Sequence, residues 1–244
     1  LTGSQGVFAG SKNLKDVDIK TPIVVRGIAK KKVMHKAIEE GRDFYYIDTG
    51  YFGNDKTKHY HRCVKNALQF NLPIWKDCPD DRFLKTGTQI RRYTPGENIL
   101  LCPPSQKALS YWNVNLQEWL DSTVEKLKKY TKRPIVIREK QKRNVRTTED
   151  TMEMALQRDV HCLVTYNSIA AVEALILGKP VFVMGPNAAE PMANTDLSKI
   201  NNPMMPTPEK VIQLCCNLAY GQFTPSEMVD GTAWRILNEF YDRK

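Results

Sequence analysis

Short apolar runs alternate with amphipathic stretches through the second half of the chain. ILLC (99–102), PIVIR (134–138), HCLVT (161–165) and VFVM (181–184) read as strands, the last two as buried ones. Between them, Asn115 to Tyr130, Thr148 to Gln157 and residues 167 to 177 have the apolar spacing of helices, and two more helices, Pro208 to Tyr220 and Pro225 to Tyr241, close the chain. Such alternation predicts a doubly wound α/β domain with a parallel sheet, flanking helices and right-handed crossovers. The first half starts in the same way. PIVVRGI (22–28), a helical segment from Lys30 to Glu40 stopped by Gly41, and FYYID (44–48) make one βαβ unit. From there to about residue 95 the chain is polar and rich in aromatics, with few periodic segments, and Pro95-Gly96 marks the best boundary. The expected organisation is an arm (1–21) and two Rossmann-like halves (22–96 and 97–244), each a parallel sheet flanked by helices.

The segment DVHCLVTYNSIAAVEALILGKPVFVMGPN (159–187) is a strand, a polar turn, an apolar helix and a second strand. Backbone N–H groups and the helix dipole at such a turn attract phosphate. Asn167 and Ser168 either cradle an anion there or simply cap the helix. In doubly wound sheets ligands bind at the carboxyl ends of the strands. Here those ends are Pro103-Pro104-Ser105, Arg138 to Lys140, Thr165 to Ser168 and Gly185 to Asn187. Together they form a polar, cationic rim: Ser105 and Ser168 offer hydroxyls, Arg138 and Lys140 offer charge, and Glu173 lies just past the turn. No GxGxxG and no GxxxxGK[ST] occurs, so neither the usual dinucleotide fingerprint nor a P-loop is present.

The net charge of +9 over 244 residues favours an anionic partner. Basic residues are spread along the chain, in clusters that include Lys30-Lys31-Lys32 and Arg91-Arg92, so the better description is a folded basic surface. No apolar run reaches the ~20 residues of a membrane span, which excludes an integral helical membrane protein. The six cysteines form no CxxC pair and no Cys/His zinc spacing. Several sit within apolar strands or helices, as reduced cysteines in a cytoplasm would, or in a host's cytoplasm for a phage-encoded protein.

The pattern LVTYNSxAxVEALxxGKPVFVxG resembles the donor-binding half of GT-B nucleotide-sugar glycosyltransferases. It is most similar to capsular-polysaccharide transferases and to phage DNA glycosyltransferases. In that family a Ser- or Gly-containing turn holds the diphosphate, and a Glu five residues before the Gly of a GxP stop binds the ribose. Glu173 and Gly178 keep that spacing, and Tyr166-Asn167-Ser168 occupies the turn. Glu190-Pro191 falls where family members often contact the sugar hydroxyls. The likeness covers about residues 98–244, while 22–95 is consistent with a shortened acceptor half. It implies a metal-independent transferase with no cofactor and with a nucleotide sugar, a UDP-sugar, as co-substrate; the absence of a suitably placed DxD motif agrees. Donor contacts would come from Ser105, Arg138, Lys140, Tyr166, Asn167, Ser168, Glu173 and Glu190.

Inversion needs a general base on the acceptor hydroxyl. Asp48, at the end of a buried strand, is the first choice, though it can equally cap the turn Thr49-Gly50; His59 and His61 come second. The basic balance favours double-stranded DNA carrying hydroxymethylated pyrimidines as acceptor, with Lys30, Lys31, Lys32, Arg91 and Arg92 on its backbone. A glycan acceptor, a UDP-sugar 2-epimerase-like activity and a non-catalytic nucleic-acid-binding module are the alternatives.

Overall fold

The computed structural model describes residues 17–28, 31–54, 59–69, 76–139 and 151–241. In chain order these form β1 (Ile23–Arg26), α1 (Lys31–Glu39), β2 (Phe44–Thr49), β3 (His61–Lys65), α2 (Asp81–Leu84), β4 (Asn98–Cys102), α3 (Gln106–Leu109) and α4 (Leu116–Tyr130). Then come β5 (Ile135–Ile137), α5 (Met152–Leu156), β6 (Val160–Thr165), α6 (Ala170–Ile176), β7 (Val181–Val183), α7 (Pro208–Ala219), β8 (Gln222–Phe223), α8 (Pro225–Val229) and α9 (Thr232–Tyr241). They make two compact units. One is Thr88–Cys215, and the other joins the described residues up to Gly87 with those from Cys216 onward.

The Thr88–Cys215 unit is the parallel α/β sheet that the apolar runs predict. Its order is β5-β4-β6-β7, and all three pairings are parallel. β6 is buried at all six positions because helices cover both faces of a parallel sheet, which removes any call for polar alternation. α4 begins at Asn115, whose side chain accepts hydrogen bonds from the N–H groups of Gln117 and Glu118. Its Trp119 and Leu127 enter a core with Ile99, Leu101, Cys162, Val164 and Phe182. α6 is buried everywhere except at Glu173; Ala170, Ala171 and Ala174 let it lie close to the sheet. It ends at Gly178, with φ +70°, where an added Cβ would overlap the Arg92 carbonyl. β4 is followed by β5 on one side and β6 by β7 on the other, so the connections leaving β4 and β6 run in opposite directions. The gap between the carboxyl ends of β4 and β6 is therefore a topological switch point.

The other unit departs from the expected parallel sheet. Its order is β1-β2-β3-β8, and only β1–β2 is parallel. β3 and β8, neither of them anticipated, pair antiparallel. The segment read as one helix, 225–241, is two, broken where Gly231 takes φ +85°. Residues beyond 215, expected with the donor half, pack in this unit instead. Arg82 holds Glu227 through two hydrogen bonds (2.7 and 3.1 Å), and Tyr45 stacks on Trp234 with ring centres 5.0 Å apart. All six cysteines are buried. No helix among the described residues is long and apolar enough to cross a membrane.

Phe182 is wholly buried in the middle of β7. Phe182→Ala should destabilise the protein by about 3–5 kcal/mol, the range for a truncated core aromatic, read as a lowered urea midpoint.

Candidate functional site

The switch point is held shut at its base by side chains. Thr165 at the end of β6 donates its hydroxyl hydrogen to the Cys102 carbonyl at the end of β4 (2.6 Å). Pro103 and Pro104 follow; lacking N–H groups, they cannot extend the ladder, and the chain turns into α3. Ser105 caps α3 by accepting a hydrogen bond from the Ala108 N–H (3.4 Å). Across the gap, Ser168 N–H donates to Thr165 Oγ1 (3.4 Å), and Ser168 Oγ accepts from the Ala170 N–H (3.2 Å). The turn is thus ordered by its own side chains: Ser105 caps α3, and Ser168 closes a local turn onto the Ala170 N–H. Each of these bonds uses one lone pair of its hydroxyl, leaving the hydrogen and a second lone pair for a ligand.

Charge gathers at the same place. Cys102 is almost wholly buried, and burial pushes its thiol up to about 12. Arg138 draws that value down and Glu173 raises it, so the end of β4 lies within reach of both charges. Arg138 follows β5, and its N–H donates to the Leu101 carbonyl (2.9 Å).

The third wall comes from the loop after β7. Asn187 is 4% exposed; its Nδ2 donates to the Ser168 carbonyl (3.0 Å) while its Oδ1 accepts from the Ala189 N–H (2.9 Å). Asn187 was counted only as a strand end in the sequence, yet it fastens the β7 loop to the turn. The signal available was Asn before a small-residue pair, a common side-chain turn. Glu190 is exposed one turn later, its N–H on the Asn187 carbonyl (3.1 Å). Tyr166 has a mainly packing role. Its ring lies edge-on to Trp119 (6.1 Å), and Gly185 leaves room for it: a Cβ there would come within 2.6 Å of the ring. Asn167 is buried at the turn.

Ser105, Arg138, Asn167, Ser168, Glu173 and Glu190 therefore belong to one end of the sheet, as expected from the strand ends. Arg91 and Arg92 do not. Arg91 N–H donates to the Ile176 carbonyl (2.8 Å), and Arg92 lies over Gly178 at the far end of α6. Both sit at the amino-terminal edge of the sheet, because α6 runs antiparallel to the strands and ends there. Arg91 is also paired with Glu153 (2.7 Å).

The remaining sequence candidates lie in the other unit. Asp48 is held at three points: Tyr46 OH (2.7 Å) and Arg62 Nη2 (3.2 Å) donate to Oδ2, and the Thr49 N–H to Oδ1 (2.8 Å). Arg62 is buried, lies against the Tyr46 and Tyr51 rings, and faces Asp48 across the β2–β3 pair. A cationic partner of this kind favours the ionised carboxylate. His59 is exposed and stacks edge-on with Tyr60 (5.0 Å); His61 stands in β3 opposite Thr49. Lys31 and Lys32 open α1, just after β1. Lys30 and Lys140 lie outside the described residues. Among the described residues no group of three His, Cys, Asp or Glu side chains is placed to hold a metal ion.

In fold the chain is similar to the KpsC beta Kdo 2,7 transferase of Thermosulfurimonas dismutans. The TM-score is 0.51 over 95% of this chain and 90% of that one, at 12% identity. The KpsC beta Kdo 2,4 transferase of the same organism gives a TM-score of 0.48 over 89% and 86% of the two chains, at 14% identity. No protein-family model and no curated protein matches the sequence. At such identities the likeness is one of fold.

Thr165→Val keeps the shape of the side chain but removes the link between β4 and β6 and leaves the Cys102 carbonyl unpaired. A loss of about 1–3 kcal/mol is expected from an unsatisfied buried acceptor, measured as a fall in unfolding midpoint against wild type.

Proposed function

We propose that the protein is a glycosyltransferase that moves a sugar from a nucleotide-sugar donor to a hydroxyl group of a glycan. One observation carries the reading: at the switch point of a parallel sheet, Ser105 and Ser168 stand at the strand ends, and the charges of Arg138 and Glu173 reach the end of β4. Nucleotide ligands occupy such crevices. Arg138 would offset the charge building on the departing phosphate, as would the hydroxyls of Ser105 and Ser168. Glu173 would take the paired hydroxyls of the ribose, and Glu190 those of the sugar. In the transfer, the acceptor oxygen bonds to the anomeric carbon as the bond from that carbon to the phosphate oxygen breaks. The acceptor proton passes to a base, for which Asp48 is our assignment: Tyr46, Arg62 and the Thr49 N–H fix its carboxylate in one orientation. No metal or cofactor is required on this reading. The fold likeness to a Kdo transferase supports it.

The glycan acceptor is preferred to DNA on the placement of Arg91 and Arg92. Both lie across the sheet from the crevice, so they do not add to a DNA track beside the reacting carbon. Incubation with a panel of nucleotide sugars, offered oligosaccharides or hydroxymethylated DNA, separates the outcomes by mass spectrometry. Sugar appearing on DNA alone would reverse the preference, and turnover without any acceptor would indicate an epimerase.

Glu173→Ala should weaken binding of the donor nucleotide roughly tenfold, about 1.4 kcal/mol, with an unchanged melting temperature. Unaltered affinity by isothermal titration would remove Glu173 from the donor site. Asp48→Asn should lower turnover by roughly 100-fold or more while donor affinity holds, a typical loss for a missing general base. Near-normal turnover would rule out Asp48.

A further inference from the structure

We propose that the amino-terminal edge of the Thr88–Cys215 unit carries a second binding site, for a phosphorylated small molecule. A cavity of about 470 Å³ opens there, bordered by the strap 91–95, the end of α5 and the turn that follows α6. That volume lies within the ~300–1,000 Å³ of ordinary small-ligand sites. It stands apart from the switch-point crevice: the seven residues of α6 separate the two, roughly 10 Å of helix.

Lys179 is the centre of the site. It lines the cavity yet is only 4% exposed, and its Nζ donates to the Thr94 carbonyl (2.9 Å). An ammonium has three donors, and Thr94 engages one. Burial holds the Lys179 pKa below the ordinary lysine value, with the nearby Asp159 charge working the other way. A buried cation of this kind is costly unless an anion meets it. Asp159 is exposed, and its Oδ1 already accepts from the Glu97 N–H (3.2 Å).

Arg91 and Arg92 also line the cavity, and the Arg91 guanidinium is shared with Glu153. Cations therefore exceed carboxylates around the cavity, and guanidinium groups suit phosphate oxygens in geometry as well as charge. Leu156 and Leu177 give the same cavity an apolar side, so an organic phosphate fits better than a bare ion. The walls are preformed: Arg91 N–H is bonded to the Ile176 carbonyl, and the close approach of the Arg92 carbonyl to Gly178 leaves no room for a Cβ. Little ordering is then needed on binding.

Isothermal titration with inorganic pyrophosphate tests the site in wild type, Arg92→Ala, Lys179→Gln and Arg138→Ala. Arg92 contributes its carbonyl to the fold and its side chain to the solvent, so Arg92→Ala leaves the strap in place. Binding should weaken at least tenfold in Arg92→Ala and in Lys179→Gln. Arg138→Ala should keep a pyrophosphate-binding event at wild-type affinity, because Arg138 belongs to the other crevice. If Lys179→Gln fails to fold, Arg92→Ala alone decides. No binding to wild type at millimolar pyrophosphate overturns the proposal. So does full affinity in Arg92→Ala, with or without loss in Arg138→Ala; Lys179 is then a fastener for the strap. If wild type shows two binding events and Arg138→Ala changes neither, that counts against the donor crevice and leaves this site standing.

Discussion

The parallel pairing of β4 with β6 is the constraint from which the Thr88–Cys215 unit follows. Five residues of β4 are matched against β6, from Asn98 to Cys102, and Thr165 closes the last rung with its own hydroxyl. Parallel neighbours cannot be joined by a tight turn, so a crossover of helices is obligatory. β5 must then sit on the outer side of β4, and β7 beyond β6. The crevice is a by-product of that arrangement: two strands end side by side while their connections leave in opposite directions. Ser105, Ser168, Arg138 and Glu173 occupy the place that this topology makes at the switch point.

How well the sequence foretold this varies with burial. In the Thr88–Cys215 unit β4, β6 and β7 are buried along almost their whole length, so Ile99 to Cys102 and Cys162 to Thr165 stand out as unbroken apolar runs, and the helices between them announce themselves by period; β5, at the edge of the sheet, leaves Val136 and Ile137 exposed. The strand-end serines were visible for a related reason, as punctuation between such runs. In the other unit β3 is spelled His-Arg-Cys-Val-Lys, and its Arg62 is buried against tyrosine rings and Asp48. A buried arginine reads as solvent-facing in any pattern argument. β8 is two residues long, and it exists only because Phe223 meets His61 from far along the chain.

The least legible residues are those whose role is created by tertiary contact. Asn187 matters because Ser168 comes to it, and Lys179 because the strap carries Thr94 over it. Neither contact has a local signature. Arg91-Arg92 shows the opposite failing. The doublet is conspicuous in sequence, yet what the fold uses at Arg92 is the carbonyl, packed on a glycine. Charge in the side chain and work in the backbone are separate properties of one residue.

The division of the chain also bears on its synthesis. The Thr88–Cys215 unit is continuous, and every strand of its sheet has left the ribosome before β8 is made. The other unit is not continuous: β3 waits for β8, and Arg82 for Glu227, both more than a hundred residues downstream. Vectorial folding therefore has a built-in order, with the parallel sheet complete first and the β1-β2-β3 edge left open meanwhile. An open edge beside buried aromatics such as Tyr45 and Tyr46 is a surface prone to wrong pairing. The interval between translating β3 and translating β8 is when this protein is most exposed to misassembly.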